Sequence, residues 1–200
     1  MTSRRLWLLG AAALIAGCDK LPGLSASKPG FKAIDITGAE YGNKLSLHDQ
    51  NGQLRTLADF KGKLTVVFFG YTQCPDVCPT TMAELAQVKK ALGKDGERVQ
   101  GVFITVDPER DTPELLKAYM TGFDASFIAL RGTPEQTAAT AKDFKVFYAK
   151  VPGKSEGNYT MDHTAGSYIF DASGKLRLFT RYGTGAEALT VDLKTLLAAG

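Results

Sequence analysis

"LTVVFFGYTQCPDVCPTTMAELAQVKKALG", residues 64–93, joins two kinds of periodicity at a pair of cysteines. Leu64 to Gly70 is a continuous apolar run rich in β-branched and aromatic residues, the pattern of a strand buried on both faces. After it, Cys78, Met82, Leu85, Val88 and Leu92 recur at helical spacing, and Gly93 ends the run. A buried strand, a short loop and an amphipathic helix make the first half of a βαβ unit. Cys74 and Cys78 sit at its junction.

The alternation continues downstream. "VQGVFITVD" (99–107) reads as a second buried strand, and "DTPELLKAYM" (111–120) as a helix with Thr112 as cap and Pro113 at its first position. "FIAL" (127–130) and "TPEQTAATAKDFKVF" (133–147) repeat strand and helix. "GSYIFDASGKLRLFTRYG" (166–183) reads as two strands about a Ser-Gly turn, and "EALTVDLKTLLAA" (187–199) as a closing helix. Upstream, "KLSLHDQNGQLRTLADF" (44–60) alternates around Asn51-Gly52, a strong hairpin signal. The order implies an α/β fold, a central mixed sheet flanked by helices, which resembles the thioredoxin fold with an N-terminal β-hairpin extension. Functional crevices of such sheets lie beyond the carboxyl ends of the strands, where the cysteines are.

The first residues fix the compartment. Arg4 and Arg5 precede an uncharged stretch from Leu6 to Ala16, followed by Gly17 and Cys18. That is the layout of an export signal, too short for the ~20 apolar residues that span a bilayer. "IAGC" also resembles a bacterial lipobox, which makes Cys18 the lipidated first residue of the mature chain. Asp19 favours retention in the inner membrane, facing the periplasm. "DKLPGLSASKPG" (19–30) reads as a flexible tether. The expected organisation is a signal peptide over 1–17, a lipidated cysteine and tether over 18–30, and one domain over 31–200. With Arg4 and Arg5 removed, the 24 basic residues fall to 22 against 21 acidic ones. No basic run points to nucleic acid.

Lipidation of Cys18 leaves Cys74 and Cys78 as the free thiols of an oxidising compartment, where they can form a disulfide. A purely structural disulfide closing so small a loop stabilises little. Thiol–disulfide catalysis gains from the helix N-terminus, which lowers thiol pKa values. Against it, redox catalysts of the fold have two residues between their cysteines where this chain has three. They also carry a proline before the late hairpin, where this chain has "MDHTAG" (161–166). Metal binding needs a third donor. His163 lies at the edge where the fold brings its loop beside the cysteines, whereas His48 reads as a solvated position on the N-terminal hairpin. Two sulfurs and one imidazole nitrogen suit copper, as Cu(I) or Cu(II).

"FFGYTQCPDVCPTTMAEL" (68–85), "VDPERDTPELLKAY" (106–119) and "DHTAGSYIFD" (162–171), in this order, closely resemble the Sco/SenC family of copper proteins, which assist assembly of cytochrome c oxidase. The similarity runs from about Phe31 to the C-terminus. It implies Cys74, Cys78 and His163 as copper ligands, and a metallochaperone that serves the oxidase subunit carrying the copper A centre. It also implies a periplasmic copper donor and a thiol reductant as partners. Thr164 departs from the serine of many members but keeps the hydroxyl. Two alternatives stay open: a thiol–disulfide reductase acting on the oxidase subunit's cysteines, and a copper or redox sensor.

Around the ligands, Asp162 is expected to orient His163, and Asp76 to meet the helix N-terminus or repel an anionic partner. Pro75 and Pro79 pre-shape the cysteine loop. Thr81 with Glu84 fits a capping box, and Arg110 and Asp111 are candidates for contact with a partner protein. Met82 falls on the apolar stripe, which leaves Met161 as the outside candidate for a transient copper contact.

Overall fold

The computed structural model describes residues 30–155 and 158–199. The expected signal peptide, Cys18 and nearly all of the tether lie outside the described residues. Phe31–Gly200 form one compact unit.

Its frame is an eight-stranded sheet in the order β1-β10-β9-β4-β5-β6-β2-β3. The strands are β1 (Ile34–Asp35), β2 (Ser46–Asp49), β3 (Leu54–Thr56), β4 (Leu64–Gly70), β5 (Val99–Thr105), β6 (Ile128–Arg131), β9 (Gly166–Phe170) and β10 (Leu176–Arg181). β4, β5 and β6 run parallel, and β9 returns antiparallel beside β4. Every residue of β4 and β5 is buried, as their unbroken apolar runs require. The crossovers are α1 (Val77–Ala91) and α2 (Pro113–Thr121); α3 (Pro134–Asp143) follows β6, and α4 (Ala186–Ala199) packs against α1. This is the thioredoxin-like arrangement.

The helices start where their residues dictate. Thr112 Oγ1 accepts from Leu115 N–H with Pro113 at the first position of α2. At α3, Thr133 Oγ1 accepts from Gln136 N–H at 3.2 Å while Gln136 Oε1 accepts from Thr133 N–H at 2.9 Å. The expected capping box at Thr81 and Glu84 does not form. α1 begins earlier, at Val77, and the Thr81 hydroxyl donates to the Val77 carbonyl at 2.8 Å inside the helix.

Three further differences matter for the site. The N-terminal hairpin is no appendage, because His48 and Asp49 of β2 pair with Arg131 and Leu130 of β6 and extend the main sheet. α3 stops at Asp143 rather than running to 147. Lys145 takes φ 56°, the left-handed turn that reverses the chain, while Phe144 is buried against Phe69 and Tyr168. The chain then forms a hairpin that the sequence did not signal, β7 (Tyr148–Pro152) against β8 (Tyr159–His163), a separate two-stranded sheet. His163 is its last residue.

Candidate metal centre

The cysteine loop grows out of the end of β4. Val106 N–H donates to Gly70 O at 2.8 Å, extending the β4–β5 pairing one step beyond the strands. Gly70 has no room for a side chain: a Cβ there would lie 2.9 Å from Cys78 Sγ, 2.8 Å from Phe68 and 2.9 Å from Phe103. The thiol of Cys78 occupies that space, fully buried in the first turn of α1. Cys74 is half-buried, in a turn closed by its own N–H to Tyr71 O at 3.3 Å. Cys78 N–H points back at Cys74 Sγ at 3.4 Å, so the helix N-terminus faces that sulfur.

His163 completes the group from the other side. Its Nδ1 faces the Thr164 carbonyl at 3.2 Å, which assigns the proton to Nδ1 and leaves the Nε2 lone pair directed at Cys78 Sγ, 3.4 Å away. The ring is set edge-on by Phe68 and Tyr71, with centroids at 5.9 and 6.0 Å. The donor atoms of Cys74, Cys78 and His163 all lie within 4.8 Å of one another, the one such group among the described residues.

Burial acts on both partners of the Cys78–His163 contact. It pushes the Cys78 thiol far up, against the lowering effect of the Tyr71 backbone hydrogen bond. It holds the His163 imidazole below its usual range, against the raising effects of the Thr164 carbonyl and the Asp162 charge. In the metal-free site burial thus favours the neutral forms of Cys78 and His163, with the imidazole lone pair ready. A cation bound there would release a proton from Cys78.

Residues 35–198 match the family model described as SCO1/SenC. The chain belongs to the SCO1/SenC family. It is similar to a SCO2-like protein of Rickettsia felis, 42% identical over 135 residues, which covers 67% of this chain and 66% of that protein's own length. Among solved structures it resembles ScoI of Bradyrhizobium japonicum with copper bound, at 45% identity and a TM-score of 0.69, covering 75% of this chain and 95% of that one. It also resembles a SCO1/SenC family lipoprotein from Bacillus anthracis, at 27% identity and a TM-score of 0.68, covering 82% and 97%.

Of the other residues singled out around this SCO1/SenC site, Met82, His48 and the helix-end Asp76 stand where expected, and Asp162 and Met161 do not. Asp162 is exposed and acts on His163 through its charge; the hydrogen bond that orients the ring is the Thr164 carbonyl's. Asp76 stands at the N-cap of α1 without a capping bond and receives long contacts from the hydroxyls of Thr80 and Tyr182, at 3.4 and 3.5 Å. The hydroxyl at Thr164 accepts from Phe147 N–H at 3.0 Å, which ties the end of β8 to the start of β7. Met161 is buried, as is Met82, so its sulfur is withdrawn from the outside position expected of it. His48 is exposed on β2 and lies outside the donor group.

Asp111 is the largest departure. It is fully buried and therefore not a surface for a partner. Its carboxylate accepts from Thr72 N–H at 3.1 Å, Thr72 Oγ1–H at 2.6 Å and Thr105 Oγ1–H at 2.5 Å. Burial raises its carboxyl, opposed by these Thr105 and Thr72 hydrogen bonds. Asp111 thus braces the cysteine loop against the end of β5. The sequence signal for this was the aspartate before a helix cap, but its partner Thr72 is 39 positions away.

Proposed function

We propose that this chain binds one copper ion through Cys74 Sγ, Cys78 Sγ and His163 Nε2 and passes it on during assembly of the copper A centre of cytochrome c oxidase. The observation that carries this reading is the convergence of two sulfurs and one imidazole nitrogen within 4.8 Å. Soft thiolates with imidazole suit copper, and three donors leave the ion open to a ligand from a partner, as cargo requires. Copper bound to ScoI of Bradyrhizobium japonicum supports the choice of metal. Copper occupancy and thiol redox state are coupled, because a Cys74–Cys78 disulfide cannot supply two thiolates. A periplasmic copper donor and a thiol reductant are therefore its required partners.

The protein is held at the periplasmic face of the inner membrane by lipid on Cys18 and by the tether to residue 30. The lipobox-like "IAGC" and the lipoprotein relative from Bacillus anthracis support this placement. Among the described residues no helix is long and apolar enough to cross a membrane.

Titration of the reduced protein with Cu(II), beside His163→Ala, tests the assignment. One equivalent is expected to raise a thiolate-to-copper charge-transfer band and a copper resonance with nitrogen coupling, both lost or altered in the variant. Absence of stoichiometric copper would sink the proposal. A reductase acting on the oxidase subunit's cysteines would instead keep full thiol exchange in His163→Ala, since that chemistry needs the thiols and not the imidazole.

A further inference from the structure

The donor set comes from two separately built pieces. Cys74 and Cys78 belong to the loop and helix that follow β4, whereas His163 ends a hairpin that has no hydrogen-bonded strand partner in the main sheet. On its C-terminal side His163 is held by the entry into β9, three residues on. The other end of β8, at Tyr159, is held by side chains.

Arg110 makes that second attachment. Its Nη1 donates to the Tyr159 carbonyl at 2.8 Å and to Gln73 Oε1, the neighbour of Cys74, at 3.2 Å. Its guanidinium carbon lies 3.6 Å from the centre of the Tyr159 ring and 5.8 Å from that of Tyr71. Its Nε donates to the buried Asp107, which also accepts from the Tyr159 hydroxyl at 2.8 Å. One planar cation is thus shared by the cysteine loop, the turn after β5 and the strand that carries His163. The nearby Lys150–Glu109 pair, at 2.6 Å, is an exposed ion pair and fixes little.

We propose that Arg110 is a positioning residue for the site, setting the imidazole of His163 against the two sulfurs by tying Tyr159 of β8 to Gln73 of the cysteine loop. The proposal rests on the copper assignment above. A lysine keeps the charge beside Asp107 but cannot stack as a plane on Tyr159 and reach Asp107, Gln73 and the Tyr159 carbonyl together. The end of β8 then keeps the hydrogen bond from the Met161 backbone to the Tyr71 hydroxyl but loses its hold at Tyr159, so the imidazole is set less firmly, while the cysteines stay where α1 and Asp111 hold them.

The test is a double-mutant cycle read by Cu(I) competition against a chelator, using the reduced wild type, Arg110→Lys, His163→Ala and the double variant. Support for a ligating group typically contributes about 10–100-fold to metal affinity, so Arg110→Lys is expected to weaken binding about 10-fold. In the His163→Ala background the same change is expected to do nothing further, because the group it positions is gone. Nitrogen coupling in the Cu(II) resonance of Arg110→Lys should weaken while the thiolate band persists. Affinity within about twofold of wild type, or an equal loss in both backgrounds, would overturn the proposal. If wild type and His163→Ala bind Cu(I) alike, it is the ligand assignment that fails, and this inference with it. Should Arg110→Lys not fold, Tyr159→Leu replaces it in the cycle: it removes the ring under the guanidinium and leaves the Arg110–Asp107 pair, with the same expected loss and the same overturning result.

Discussion

Cys78 and His163 face each other across 3.4 Å, and the same burial moves their protons in opposite senses. The thiol is raised, so near neutral pH it keeps its proton; the imidazole is lowered, so it is neutral there and its Nε2 carries none. Copper bound as proposed would therefore displace the Cys78 proton and meet no competition at Nε2. Affinity should rise with pH by at least about tenfold per unit across the neutral range, one decade for each proton expelled. In acid the imidazole also begins to protonate, and the dependence should steepen there. Chelator competition at a series of pH values checks this. A flat profile would mean that Cys78 is already a thiolate in the metal-free protein. At this scale the sequence was legible in which reactive atoms meet: the cysteine spacing alone was a weak signal, but the place of His163 before the late hairpin and the three family-like motifs picked out the atoms that the fold brings within 4.8 Å. Burial was not legible. Once "YTMDH" is a strand, its alternation turns Met161 inward and Asp162 out, but the sequence alone reads as a loop there and so leaves Met161 outside.

The cysteine loop is held to the end of β5 by a buried carboxylate rather than by surface charges. Asp111, just ahead of α2, takes hydrogen bonds from Thr72 after β4 and from Thr105 at the end of β5. Asp111→Ala leaves those donors unsatisfied in the interior. It should lower stability by about 3 kcal/mol, the scale of hydrogen bonds to a charged group, seen as a lower urea midpoint. Asp111→Asn, which keeps an acceptor, should lose less. A change below about 0.5 kcal/mol in the alanine variant would show that the loop is held by packing alone. Elements with a single strong period were read correctly from sequence. β4 and β5 are unbroken apolar runs, and the α1 stripe buries Cys78, Met82, Leu85 and Val88 as its spacing requires. β7 and β8 escaped for different reasons: "YAKVP" shows no alternation and is largely exposed, whereas "YTMDH" does alternate but over only five residues, too short a run to stand out without its partner strand. Asp111 was misread for a related reason, since a charge in sequence shows its sign but not the donors the fold places around it.

The described domain is one main sheet whose first residues are tied to its last helix, with a separate two-stranded hairpin that brings His163 to the cysteines. The fully buried Asp192 of α4 accepts from Lys32 and Ala33 N–H at 2.8 and 2.7 Å, which fixes the start of the domain just where the tether composition gives out. The β7–β8 hairpin has no comparable hydrogen-bonded place in the main sheet, and isolated two-stranded hairpins are marginal. Copper held by Cys74, Cys78 and His163 would be a cross-link between the two. A ligand present at about 1,000 times its dissociation constant adds about 4 kcal/mol, or roughly 10 °C in melting temperature for a domain of this size. The gain should not be uniform. Amide hydrogens of residues 148–152 and 159–163 should exchange markedly more slowly in the copper form, and those of the distant β2–β3 pair should change little under conditions of local opening. A chelator should reverse the effect, and His163→Ala should abolish the local protection while keeping whatever stabilisation the two thiolates alone provide. Equal slowing at β2–β3 and at the hairpin would mean that copper stabilises the fold globally without closing it, and that the hairpin is as firmly attached in the empty protein as in the loaded one.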